Sequence, residues 1–133
     1  AEKRVGARAK TSYAWKTLVE SGALVCGGSD CPVEPLDVLK NIHCAVMRQD
    51  LYGQPAEGWH PEQRLTMQQA LPLYTTNIAT LEGRQALRGS LSIGKWADFV
   101  MLDRDILQNP NELLNTNVCM TAMQGQVTYQ SQR

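Results

Sequence analysis

The chain has 133 residues, 43% of them hydrophobic and 20% charged, with a formal net charge of zero. That length fits one domain, and that composition a globular class rather than disorder. A neutral balance argues against a nucleic-acid partner, which needs a clustered basic surface. With no apolar run near the roughly 20 residues of a membrane helix, a membrane partner is not expected either.

The text runs from Ala1 directly into polar residues, without an initiating Met, which leads us to expect further sequence upstream. No signal peptide is visible, which carries little weight in a text that starts at Ala1; a cytoplasmic location is the expectation, with the periplasm left open. Lys3, Arg4, Arg8 and Lys10 read as a solvated helix face. Residues 11–20 read as a helix, with Trp15, Leu18 and Val19 at spacings of three and four and Gly22 at its C-terminal cap. Ala23-Leu24-Val25-Cys26 is a short apolar run without alternation, as in a strand buried on both faces of a parallel sheet or barrel. It ends in Gly27-Gly28-Ser29-Asp30, where the backbone is free to turn.

Pro32 and Pro35 hold the next loop extended, and Pro35 suits the first position of a helix over about 36–47. Leu39, Ile42 and Val46 share one face of that helix. Residues 49–63, with Gly53, Pro55, Gly58 and Pro61, read as a loop. Thr66 with Gln69 three residues later forms a capping-box pattern that opens a second helix, whose stripe is Leu71, Tyr74, Ile78 and Leu81 and whose end is Gly83. Pro72 inside it predicts a kink, or a helix that starts near that proline. Residues 97–102 read as a strand, Asn109-Pro110 as the start of a short helical turn through Leu114, and 119–123 and 127–129 as strands joined at Gln124-Gly125. Gly89 marks a boundary between an α/β part, 1–88, and a mostly β part, 89–133. Some 88 residues with one clear strand cannot close an α/β sheet, so the chain reads as a portion of something larger.

The informative stretch is Gly28-Ser29-Asp30-Cys31-Pro32-Val33-Glu34-Pro35. A buried strand delivers an acid at its C-terminal end, where α/β barrels build their active sites. A carboxylate there can bind a metal or move a proton. It can equally cap a turn or the next helix, and the residues alone leave both readings open. Glu34 can pair with Asp30 as acid and base, or place a negative charge at the next helix N-terminus. Cys31 lies beside Asp30 and is a candidate for lining a substrate pocket. Trp59 reads as packing, with a lid or dimer contact as the other reading. The four cysteines, Cys26, Cys31, Cys44 and Cys119, form no C-x-x-C pair, and Cys26 and Cys119 read as reduced, buried thiols. The run from Gly89 to Trp96 nearly matches a phosphate loop, but Trp96 stands where that pattern needs Ser or Thr.

The Gly-Ser-Asp-x-Pro-Val-Glu-Pro run, followed by Ala45-Val46-x-Arg48, resembles the end of the barrel in the amidohydrolase superfamily, in its family-3, YtcJ-like branch of metal-dependent hydrolases. Gly6-Ala7-Arg8-Ala9-Lys10 before Tyr13-Ala14-Trp15 is similar to the helix preceding the final barrel strand. Gly58-Trp59-His60-Pro61-Glu62-x-Arg64-Leu65-Thr66, with Ala70-Leu71 and Tyr74-Thr75, resembles the helix that follows. Gly89-Ser90-Leu91 with Gly94-Lys95-x-Ala97-Asp98-Phe99 is similar to the family's return into a small β-sandwich. Only Pro72 departs noticeably from the pattern.

The resemblance implies an α/β fold: the C-terminal portion of a TIM-like barrel, its last strand and helices, followed by strands of a small β-sandwich. It implies a whole enzyme that hydrolyses a carbon–nitrogen bond other than a peptide bond, in a small-molecule substrate. Histidines of earlier strands, a His-x-His pair among them, would hold one or two divalent metals, zinc being the expectation. Asp30 matches the aspartate that ends the eighth strand, contacts the metal or its water, and carries the water's proton to the leaving nitrogen. This chain has no His-x-His. His43 and His60 match no ligand position and read as packing or surface residues. One carboxylate cannot hold zinc, which needs about three protein ligands in a catalytic site. We therefore expect no cofactor and no activity in this chain alone, and association with itself or with the missing barrel portion. Two other readings compete: a non-enzymatic α+β interaction module that binds through open strand edges, and a short stand-alone hydrolase using Asp30 and Glu34.

Overall fold

The computed structural model describes residues 2–132. In chain order these form α1 (Glu2–Val5), a 3-10 segment (Gly6–Thr11), α2 (Trp15–Glu20), α3 (Val38–Met47), a 3-10 turn (Pro61–Gln63), α4 (Met67–Ala70), a 3-10 turn (Leu71–Tyr74) and α5 (Thr76–Leu81). Then follow β1 (Phe99–Leu102), a 3-10 segment (Pro110–Asn115), β2 (Val118–Met123) and β3 (Gln126–Gln130).

The helix expected over 11–20 begins only at Trp15, because the preceding residues take the tighter 3-10 form and Tyr13 turns the chain with φ 53°. Its end is as read: Gly22, at φ 81°, lies just past the cap, where a left-handed residue closes the last turn without steric cost. The helix expected over 36–47 begins at Val38. Asp37 is its N-cap, the carboxylate accepting the Leu39 N–H at 3.1 Å, so Pro35 is not its first residue. Glu34 consequently lies outside the helix. Thr66 and Gln69 form the capping box in both directions. Beyond it the chain is not one kinked helix. Pro72 sits in a 3-10 turn, and Thr75, at φ −132° and ψ −92°, separates that turn from α5.

The strand expected over 23–26 does not form. Those residues belong to no sheet, and they are not buried on both faces: Ala23 and Leu24 are exposed, Val25 and Cys26 half-buried. A strand exists only when a neighbour takes its N–H and C=O groups. Cys26 and Cys119, expected buried, are half-buried.

The sheet among the described residues is three-stranded, antiparallel and ordered β1-β2-β3. Gln124 and Gly125, at φ 52° and 77°, make the tight turn between β2 and β3, since two left-handed residues match the twist of the flanking strands. Bulges interrupt both ladders, between Met101 and Leu102 and between Thr121 and Ala122.

The core gathers Ile42, Ala45 and Val46 of α3, Leu65, Met67, Ala70 and Leu73 of the α4 region, and Ile106 and Leu113 from the connection between β1 and β2. Trp15, Val25, Tyr74 and Leu102 pack around it. Much apolar surface stays outside: Val33, Leu36, Leu91 and Ile93 are exposed, and every residue of β3 is exposed.

Candidate active site

Asp30 opens the turn three residues after Gly27. Asn77 Nδ2 donates to the Val25 carbonyl at 2.8 Å, and Gly27 N–H donates to the Leu73 carbonyl at 2.9 Å. A Cβ on Gly27 would lie 2.3 Å from Cζ of Tyr74, so the Tyr74 ring rests directly on this backbone. The chain then turns. Asp30 has φ 52°, a conformation that Asp tolerates better than most residues. The Val33 N–H donates to the Asp30 carbonyl at 2.9 Å and the Glu34 N–H to the Ser29 carbonyl at 3.2 Å. The Cys31–Pro32 peptide is cis.

This turn presents Asp30, Cys31 and Glu34 to solvent. The Asp30 carboxylate has no hydrogen-bond or ion-pair partner among the described residues. Neither Asp30 nor Cys31 lines the cavity of about 470 Å³ between α3, Tyr74 and β1, or the one of about 440 Å³ between α5 and β1. No group of three or more His, Cys, Asp and Glu side chains able to hold a metal occurs among the described residues.

The two histidines lie elsewhere. His43 is buried on α3, with Nε2 3.3 Å from the Asp50 carbonyl and Nδ1 unpartnered. His60 has Nδ1 3.2 Å from Glu62 Oε1, while its Nε2 is 3.4 Å from Glu2 Oε1 without hydrogen-bonding geometry. Cys44, half-buried, has its thiol pKa raised by burial and then by the charges of Glu34 and Asp50, which keeps it a neutral thiol rather than a nucleophile. Burial also raises the Tyr74 phenol, with Cys44 adding to the effect.

Arg48, which the sequence reading did not single out as a contact, is the hub of a second cluster. It ends α3 in the left-handed conformation and is only 5% exposed. Its Nε donates to the Trp59 carbonyl at 2.9 Å and its Nη1 to the Tyr13 carbonyl at 3.1 Å. Its guanidinium carbon lies 4.7 Å from the Trp15 ring centre and 5.0 Å from that of Trp59. Burial lowers its pKa, with the Glu62 charge opposing, and it remains a cation. Trp59 thus packs against Arg48 and Tyr13, while its Nε1 donates to Glu2 at 3.1 Å.

Other motif residues also hold backbone. Arg64 donates to the Met47 and Glu57 carbonyls at 3.2 and 2.8 Å. Asp98 accepts the Gln124 N–H at 2.7 Å and so ties the hairpin turn to the start of β1. Lys95 donates to Ser90 Oγ at 2.9 Å, and the segment leads into a strand, not the helix a phosphate loop requires.

The motifs around Asp30, Arg48, Arg64 and Asp98 have a common origin: the profile of the amidohydrolase family matches residues 1–129, and the chain belongs to that family. Among curated proteins it is 36% identical to the putative amidohydrolase YtcJ of Bacillus subtilis (strain 168), over 92% of this chain and 23% of that protein. It is 31% identical to N-substituted formamide deformylase of Arthrobacter pascens, over 86% of this chain and 21% of that protein. Protein LONG AFTER FAR-RED 3 of Arabidopsis thaliana is 32% identical over 90% of this chain and 20% of its own length. The chain thus spans between 20% and 23% of these relatives. In fold it is similar to the crystal structure of an amidohydrolase from Thermotoga maritima MSB8, with a TM-score of 0.68 and 18% identity, covering 90% of this chain and 26% of that one.

Proposed function

We propose that these residues are the C-terminal part of a hydrolase that cleaves a carbon–nitrogen bond, other than a peptide bond, in a small molecule, with Asp30 as its proton shuttle. One observation carries the reading. Asp30, within the family-matched residues, follows a segment anchored at Val25 and Gly27 and has a carboxylate free of any partner among the described residues. A carboxylate that only capped a turn would accept a nearby N–H, as Asp37 does for Leu39. Free, it can accept a proton from an attacking water and deliver it to the departing nitrogen.

The family points to a divalent metal in the whole enzyme, with zinc as the expected ion, where it would make bound water more acidic and polarise the scissile carbonyl. The residues of this chain do not fit such a site by themselves, since Asp30 has no companion ligands among them. Cys31, exposed and adjacent to Asp30, would in this reading border the substrate. In the whole protein, residues 1–88 complete a TIM-like barrel and 89–133 a small β-sandwich. No helix among the described residues of this chain is long and apolar enough to cross a membrane.

The test is Asp30→Asn in the whole enzyme. A general acid–base residue contributes about 100- to 10,000-fold, so kcat falls by that order while the far-UV spectrum is unchanged. A kcat within about twofold of wild type contradicts the assignment.

A further inference from the structure

Asp30 has no side-chain partner of its own, so its placement depends entirely on the backbone that leads to it. That backbone is not held by a ladder. Two of its backbone groups are taken by the helical pair that follows Thr66: the Val25 carbonyl by Asn77 Nδ2 at 2.8 Å, and the Gly27 N–H by the Leu73 carbonyl at 2.9 Å. The Tyr74 ring closes on the same point, so a Cβ at Gly27 would have to displace it. The constraint is one of space and not of a left-handed φ, for Gly27 is absent from the positive-φ positions.

We propose that Asn77, with Tyr74 seated on Gly27, is a positioning residue for Asp30. It fixes the end of the segment from which the catalytic turn departs. The proposal rests on the reading of Asp30 as the proton shuttle. Asn77 touches neither substrate nor reacting atoms. It acts by holding Val25, five residues before the carboxylate, and the turn from Ser29 to Glu34, closed by its own two hydrogen bonds, transmits that position. A displacement of about 1 Å at a reacting group costs on the order of a hundredfold in rate, so a single side-chain hydrogen bond at the base of the turn is enough to matter.

The experiment uses the whole enzyme and four proteins besides wild type: Asn77→Leu, Asp30→Asn, the two together, and Gly27→Ala. Leucine keeps the branched shape and removes the donor. The expected result for Asn77→Leu is a fall in kcat of about ten- to a hundredfold with KM changed less than about twofold. Gly27→Ala, which forces the Tyr74 ring away, shows the same split. In the Asp30→Asn background Asn77→Leu has no further effect, because the residue acts only through that carboxylate. Two results overturn the clamp while leaving the Asp30 reading intact: Asp30→Asn is impaired but Asn77→Leu and Gly27→Ala keep wild-type kcat, or Asn77→Leu lowers kcat equally with and without Asp30. Full activity in Asp30→Asn instead removes the reading beneath it. If Asn77→Leu does not fold, as judged by circular dichroism, the kcat and KM of Gly27→Ala decide.

Discussion

Arg48 is where one residue organises the most distant text. Its left-handed backbone costs roughly 1 kcal/mol for a residue with a Cβ, yet it lets the side chain turn back between Trp15 and Trp59 and reach the carbonyls of Tyr13 and Trp59. Each charge-assisted hydrogen bond is worth about 1.5–3 kcal/mol, and stacking on a desolvated ring adds about 1–2 kcal/mol. One donor, Nη2, is buried without a partner, which subtracts from that total. Arg48→Ala should therefore lower stability by about 3 kcal/mol, read as a shift of the urea midpoint. Arg48→Lys should recover little of it, because an ammonium cannot lie flat between two indoles and donate in two directions. A midpoint unchanged by Arg48→Ala contradicts this role. The sequence showed Arg48 only as part of a family pattern. Its contacts lie 11 and 35 positions away, and no local spacing encodes them. Asp30 could be singled out as a candidate for the opposite reason, since the apolar run, the glycines and the following prolines are all local, although those features alone left a catalytic and a capping role equally open.

At the scale of elements, what the sequence revealed follows the same division. The capping box at Thr66, the cap glycine at Gly22 and the Gln124-Gly125 turn each depend on a few adjacent residues, and each forms as read. The helix Val38–Met47 has its apolar stripe as read, but its start was placed two residues early, because Asp37 competes with Pro35 for the role of opening it. Pro72 announced a break without locating it. The ring is accommodated in a 3-10 turn, and the interruption falls at Thr75, whose N–H bonds back to the Pro72 carbonyl at 3.2 Å. The segment 23–26 shows the limit of pattern reading. A run of four apolar residues states a preference for burial, but pairing is a property of two segments, and here Val25 packs against the core while its carbonyl is taken by Asn77 and not by a second strand.

At the scale of the whole molecule, many large apolar side chains among the described residues remain exposed. Val33, Leu36, Leu91 and Ile93 are between 69% and 108% exposed, and the sheet shows Val100, Met101, Val127 and Tyr129 to solvent. Exposed patches of this kind mark surfaces that meet another body, and β1 and β3 both have an open edge. We propose that this chain, by itself in solution, associates with copies of itself, and that in the whole protein the remaining barrel takes that place. Light scattering at micromolar concentration should then give a mass above 14.8 kDa that grows with concentration. A concentration-independent monomer with a cooperative melt contradicts this.

The central claim is that Asp30 works in a hydrolytic site whose other residues lie outside these 133. The direct measurement is release of amine from a panel of N-acyl and N-formyl compounds by this chain alone, with zinc added, beside the whole enzyme under the same conditions. The account predicts turnover by the whole enzyme and none above buffer by the chain. Metal-dependent turnover by the chain alone, abolished by Asp30→Asn, would show that these residues complete a catalytic site on their own and would contradict it.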